Sequence, residues 1–294
     1  MDEIKEALKT VDINDGALLG RRDSDWIAGT LPYQVRLPTG DWTNYVPPGE
    51  LQYNKAADSM SCVSFSALNI IETQEKFFTG YSPNYADRWI AKVSGTTSKG
   101  NFLGTVADAI RAYGLVWDEH YPPPISPWSF DEWMADIPSV KMAELKNIGK
   151  EWLRWWTISY EWVDLVHNPS DNLAKALKHC PVQMIIPGHA VEAIYKPSDL
   201  VNFYDSYQPY IKGRPIGDFA DALKIILNPL RNQTMTNAIL VKKGGEYGFY
   251  IPAINPSALV SLALNFGIEI PKNPDGSVSF PEVEKLIRGS LSAW

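Results

Sequence analysis

The chain has 294 residues, of which 45% are hydrophobic and 21% charged, and its formal net charge is −7. This is the composition of a folded globular chain, long enough to bury its core without a disulfide or metal staple. The acidic balance argues against nucleic-acid backbones and anionic membranes as main partners. No apolar run reaches a membrane span, the two cysteines cannot build a disulfide framework, and no His/Cys/carboxylate spacing matches a zinc site. No cofactor or metal is expected.

The start, MDEIKEALKTVDINDG, is charged and helix-prone over residues 1–16 and is unlike a signal peptide, so a cytoplasmic or particle-borne protein is expected. Residues 17–50 are rich in Pro, Gly, Trp and Tyr, with strand-like pieces such as TLPYQVRLP. Val63, Phe65, Leu68, Ile70 and Ile71 predict a helix over 62–78 with one apolar face, capped by Asp58, Ser59 or Ser61. A second helix is predicted over 101–113, stopped by Gly114. YPPPISPW is a rigid loop. Residues 140–165 begin as helix, with Trp152, Trp155 and Trp156 at helical spacing read as core, and DNLAKALKH (171–179) is a short helix.

After it the pattern turns to strands: VQMII, HAVEAIYK and LVNFYDSY. Helices first and strands later is α+β, not alternating βα. NPLRNQT (228–234) reads as a linker, so a domain over 1–230 and a small α/β module over 235–294 are expected. In the module AILVKK and YGFYIPA form a strand pair, followed by the helices SALVSLALNF and FPEVEKLIRG.

One cysteine stands out. In DSMSCVSFSALNIIE, Cys62 sits where a helix begins, and the helix dipole and unpaired N–H groups there favour a thiolate. A buried filler is the alternative reading. A thiolate nucleophile needs an imidazole, and the imidazole needs an orienting partner. His120 and His167 lie in polar surroundings, and His179 ends a helix, where a charged histidine would meet the dipole. His189 opens an apolar strand. If KPSD makes a three-residue loop, 195 pairs with 199 and His189 faces Asp205. A two-residue loop would turn Asp205 to the other face. Cys180, beside Pro181, is read as structural and unpaired with Cys62.

These residues resemble the papain-like cysteine peptidases. Ser61-Cys62-Val63-Ser64-Phe65-Ser66-Ala67 is similar to the family's nucleophile run, and LPTGDW, ending at Asp41-Trp42, to the start of its mature chain. ALKHCPVQMII, GHAV and Asp205-Ser206-Tyr207 follow in the family's order, the last where its Asn-Ser-Trp turn stands. His189 lies 127 residues beyond Cys62 and Asp205 a further 16, close to the family's roughly 130–150. SKGN, with Gly100 and Asn101, resembles its Gly-rich substrate edge, and the likeness spans about residues 30 to 215.

The resemblance implies two lobes, one helical around Cys62 and one a small antiparallel β-barrel with His189 and Asp205, with the site between them. It implies Cys62 as nucleophile, His189 as acid/base, Asp205 as orienting acceptor and Gln52 as oxyanion amide, with Asn54 as the other choice. Gly100 and Asn101 would bind a peptide or protein substrate. The family's glutamine belongs about six residues before the cysteine, and position 56 is Ala. The likeness is greatest to members from bacteriophage and bacteria, and the unmatched glutamine together with the extra C-terminal module leaves two other readings standing. One is a silent scaffold associated with a phage particle; the other is a peptidoglycan cross-peptide hydrolase. Either the N-terminal segment is a short blocker or the chain is made active.

Overall fold

The computed structural model describes residues 16–18, 35–229, 239–243 and 246–250. The chain divides into two compact units: Met1–Lys76 with Ser82–Leu230, and Phe77–Tyr81 with Arg231–Trp294. In the second, β9 (Ile239–Lys243) and β10 (Glu246–Tyr250) pair antiparallel, as the strand pattern predicts. The helices expected after them, and the one expected over 1–16, lie outside the described residues.

The larger unit opens with a two-residue strand, β1 (Ala17–Leu18). Helices α1 (Cys62–Thr79, of which residues up to Lys76 belong to this unit) and α2 (Asp87–Ser94) follow, then β2 (Asn101–Phe102), α3 (Leu103–Tyr113), α4 (Phe130–Trp133) and α5 (Ser139–Trp152). Gly114, at φ 68°, ends α3 as expected. The helical reading of 140–165 holds only to Trp152. The chain then turns, and Trp156 begins strand β3 (Trp156–Trp162), so only the first of the three tryptophans is helical. Trp152 is buried and donates through Nε1 to Tyr85 Oη at 3.1 Å.

Helix α6 (Pro169–Leu177) starts two residues earlier than predicted because Pro169 takes its first turn, where no N–H is required. Strands β4 (Val182–Ile186), β5 (His189–Tyr195), β6 (Leu200–Tyr204), β7 (Ile211–Pro215) and β8 (Asp221–Pro229) complete the unit. With β3 they form one six-stranded antiparallel sheet in the order β3-β8-β4-β5-β6-β7. The fold is thus α+β, a helical part and an antiparallel sheet. The linker expected from residue 228 instead contributes Asn228 and Pro229 to β8.

Helix α1 is buried on every side, not on one face. Val63, Leu68, Ile70 and Ile71 are buried, and so are Ser64, Ser66, Asn69, Thr73 and Gln74. Two of these polar residues, Ser66 and Gln74, tie the helix to the sheet, together with the Val63 carbonyl. Gln183 of β4 donates to Val63 O and Ser66 Oγ, both at 2.8 Å. Gln74 Nε2 donates to Ile225 O of β8 at 2.9 Å, and its Oε1 accepts from Leu227 N at 3.1 Å.

Lys224 of β8 is also fully buried, directly opposite Glu161 of β3, and the two form an ion pair. Removing one partner leaves a buried charge uncompensated. Lys224→Met is expected to cost about 3–5 kcal/mol in urea unfolding, and adding Glu161→Leu to restore much of that loss. A double variant no more stable than Lys224→Met would contradict this.

Candidate active site

Cys62 is the first residue of α1 and is buried. The chain enters the helix through a tight polar loop. Ser61 O accepts from Ser64 N at 2.8 Å and Phe65 N at 3.0 Å. The three proposed capping side chains work on the loop, not on the first turn. Asp58 Oδ1 accepts from Met60 N, Ser59 Oγ from Ser61 N, and Ser61 Oγ donates to Ser59 O. Met60 lies at φ 55°, a left-handed conformation a methionine adopts only where its surroundings impose it.

His189 and Asp205 meet, by a register unlike the expected one. Tyr195 pairs with Asn202 and Glu192 with Tyr204, with a bulge between Ala193 and Tyr195. KPSD does join the two strands, but Tyr195 pairs three residues into the next strand and does not face 199. Had the Tyr195–Asn202 register continued, Asp205 would fall on the opposite face from His189. The extra residue at the bulge reverses that parity. Its backbone is used: Ile194 O accepts from Trp42 N at 2.9 Å, while Trp42 Nε1 donates to Leu177 O at 2.7 Å. The LPTGDW segment thus anchors the bulge.

His189 Nε2 lies 2.7 Å from Asp205 Oδ1, both residues buried. Lys212 of β7 donates to Asp205 Oδ2 at 2.7 Å, and Tyr207 N to Oδ1 at 3.2 Å. Burial opposes charge on the carboxyl, yet the His189 and Lys212 interactions hold it below its ordinary value. His189 Nδ1 is buried with no oxygen or nitrogen partner. Burial disfavours the charged ring, but hydrogen bonds and charge interactions with Asp205 and Cys62 raise it to about 10. The Tyr207 ring meets the imidazole edge-on at 5.1 Å and stacks on Tyr53 at 5.0 Å.

Of the two candidate amides, Gln52 bonds the Ser206-Tyr207 turn that follows Asp205, and Asn54 does not. Gln52 is fully buried; its Nε2 donates to Asp58 Oδ1 at 3.0 Å and Tyr207 Oη at 2.9 Å, and its Oε1 accepts from Ser206 Oγ at 2.5 Å. Asn54 closes its own turn, accepting from Ala56 N at 2.6 Å and donating to Trp128 O at 2.9 Å. The Asn101 side chain likewise bonds Ser94 and Thr96 and leaves only its backbone to the groove.

That backbone is occupied. Asn101 N donates to Gly16 O at 2.7 Å, and Ala17 N donates to Gly188 O, next to His189, at 2.9 Å. Strand β1 runs parallel to β2. Gly100, at φ 88°, approaches so closely that a Cβ there would lie 1.5 Å from Gly16 O. A Cβ on Gly16 would lie 2.6 Å from Met60 O. Gly16, at φ 54°, leads into the two-residue strand Ala17–Leu18, and the segment is held backbone to backbone between the Gly100 turn and the residue preceding His189.

The other candidates fall away. Burial pushes the Cys180 thiol up to about 12, with Lys224 and Arg36 opposing, and neither cysteine is in a disulfide. His179 does not serve as a cation at the end of α6: burial, then Lys224 and Arg36, push it down to about 3. His167 is exposed beside Asp164. Among the described residues no cluster of three or more His, Cys, Asp or Glu could hold a metal, and no helix is long and apolar enough to cross a membrane. Asp58, Tyr207 and Lys212 are the partners that sequence reasoning did not assign. Only Tyr207 carried a signal, as the aromatic closing the Asp-Ser-Tyr turn.

The fold is that of the papain-like cysteine proteases. Among solved structures it is similar to xylellain, a cysteine protease from Xylella fastidiosa, at 11% identity and a TM-score of 0.51, over 72% of this chain and 96% of that one. It is also similar to the digestive procathepsin L 3 of Tenebrio molitor larval midgut (13%, TM-score 0.49, 72% and 76%). A third is bromelain from Ananas comosus in complex with the E64 inhibitor (14%, TM-score 0.46, 64% and 98%). No protein-family model and no curated protein matches the sequence.

Two outcomes follow from this geometry. His189 titrates at about 10 in the fold, against about 6.5 when unfolded. Its charge therefore stabilises the fold fully below about pH 6.5, and the contribution is lost as pH rises through about 10. In urea unfolding, the stability gap between wild type and His189→Gln is expected to be widest at low pH and to close across that window. A gap independent of pH would refute the charged ring. Separately, Gly16→Val has no room beside Met60 O and is expected to displace residues 16–18. Cys62 should then react faster with a small epoxide, followed by mass spectrometry; an unchanged rate would mean that the segment does not shield the thiol.

Proposed function

We propose that the chain is a cysteine peptidase acting through Cys62. The observation that carries this reading is a buried imidazole held between Asp205 and Cys62, beside main-chain groups of Gly188 and Asn101 that pair with another stretch of backbone, residues 16–18. Cys62 Sγ, as thiolate beside the His189 imidazolium, attacks the substrate carbonyl carbon and forms a C–S bond. The Cys62 N–H and the Gln52 amide receive the oxyanion, each such donor being worth about 10²–10³ in rate. His189 gives its proton to the leaving amine as the C–N bond breaks, leaving a thioester. Water then attacks the thioester carbonyl, His189 takes its proton, and the C–S bond breaks to release the acid and restore the pair. Asp205 holds the ring in the orientation that presents Nδ1 to sulfur.

The segment Gly16–Leu18 occupies the place a substrate backbone would take, and it competes with substrate there. The groove is lined by backbone groups, which supports a peptide substrate and leaves side-chain preference open.

The test is labelling with a limiting thiol-reactive epoxide at mildly acidic pH, mapped by mass spectrometry. A free thiol, with a pKa of about 8.5, reacts slowly there. Rapid modification at Cys62 alone, lost in His189→Ala, is the expected result, and Cys62→Ala should abolish hydrolysis of a fluorogenic peptide library. Labelling no faster than a free thiol would leave a silent papain-like scaffold. Turnover of cell-wall cross-peptides but not of the library would instead make it a peptidoglycan hydrolase.

A further inference from the structure

We propose that Asp58 is a positioning residue that anchors the Gln52 amide for the oxyanion; the inference rests on the peptidase reading above. A glutamine amide carries two hydrogens. One goes to Asp58 Oδ1 at 3.0 Å and the other to Tyr207 Oη at 2.9 Å. The Tyr207 hydroxyl donates in turn to Asp58 Oδ2. The directions agree around the ring of contacts: the carboxylate only accepts, so the phenol must donate to it and receive from the amide. Ser206 Oγ donates to Gln52 Oε1 and fixes which end of the amide is nitrogen.

The two hydrogens are not equivalent. A bond to a carboxylate is stronger than one to a neutral phenol. The Asp58 bond is the anchor. The hydrogen aimed at Tyr207 is the exchangeable one, because a fully charged oxyanion outbids a phenol oxygen. The phenol that receives it belongs to the ring that sits against His189.

Asp58 is suited to this work by its other bonds. It is buried, and its Oδ1 also accepts from Met60 N at 2.7 Å, two residues before Cys62. Burial raises its pKa, and the bonds from Tyr207, Met60 and Gln52 work against that rise. One carboxylate therefore links the nucleophile's loop, the amide and the aromatic that covers His189.

The experiment measures kcat and KM on the fluorogenic peptide that wild type turns over fastest. It uses Gln52→Ala, Asp58→Ala, Asp58→Asn and the double variant Gln52→Ala/Asp58→Ala. Gln52→Ala is expected to lower kcat by about 10²–10³. Asp58→Ala should lower kcat about tenfold or more with KM within about threefold. Asp58→Asn keeps an acceptor at Oδ1 and should recover most of that loss. The double variant should be no worse than Gln52→Ala, because Asp58 acts through the amide. Epoxide alkylation of Cys62, which needs no carbonyl oxyanion, should keep its wild-type rate in Asp58→Ala. Losses that multiply in the double variant, or an unaffected kcat in Asp58→Ala or Gln52→Ala, would overturn the proposal. So would a parallel fall in alkylation, which would make Asp58 structural. A wild type that neither alkylates rapidly nor turns over peptide would instead strike the peptidase reading and take this proposal with it.

Discussion

Helix α1 carries polar side chains into the protein interior, and the position of the whole site depends on where their hydrogen bonds go. A buried amide or hydroxyl without a partner costs roughly 1–3 kcal/mol, so these groups select one docking of helix on sheet. Gln183 reaches Val63 O and Ser66 Oγ within the first turns, and Gln74 reads the β8 backbone three turns further along. Ser66 Oγ also donates to Cys62 O at 2.7 Å. These contacts determine both the depth of the helix and its rotation. A purely apolar stripe would tolerate a slide along the sheet; this set of bonds does not. The thiol at the head of α1 is thereby placed against the strand that carries His189.

The second constraint is parity in β5 and β6. An imidazole and a carboxylate sixteen residues apart share a face only if the hairpin register has the right parity. The bulge at Ile194 supplies it, and Trp42 takes the carbonyl that the bulge releases. Lys212, on the next strand out, fills the other side of Asp205. The carboxylate then has partners on both oxygens, so it stays ionised despite its burial and leaves the imidazole little freedom to turn.

Much of this was legible in the sequence where the signal is local. The thiol at a helix start, the strand opening with His189, the strand pair after residue 237 and the glycine ending α3 all follow from short-range pattern. The pairing of His189 with Asp205 was anticipated through a loop the chain does not make. The parity argument was sound, but a bulge is invisible to alternation alone, since the residues on either side of it still read as strand. The all-round burial of α1 was hidden for a similar reason. Serine, asparagine and glutamine on a helix read as a solvated face unless their partners on other elements are known. Burial likewise holds Glu75 at about 7 and Glu192 at about 8, carboxyls that a sequence pattern assigns to the surface. Asp58 was read as a helix cap because capping is the local option. Its bonds to Gln52 and Tyr207 span six and 149 residues, and no spacing rule reaches that far.

The close approach of Gly16 and Gly100 shows the same limit from the other side. A glycine in a polar turn suggests only flexibility. Here Gly100 at φ 88° is required because another stretch of backbone passes within van der Waals distance, where a Cβ would overlap the Gly16 carbonyl. The donors and acceptors that hold residues 16–18 are main-chain groups, present at every position and marked by none. Contacts of this kind depend on the course of two backbones and not on side-chain identity, so they leave no mark in the sequence beyond the two glycines that permit them.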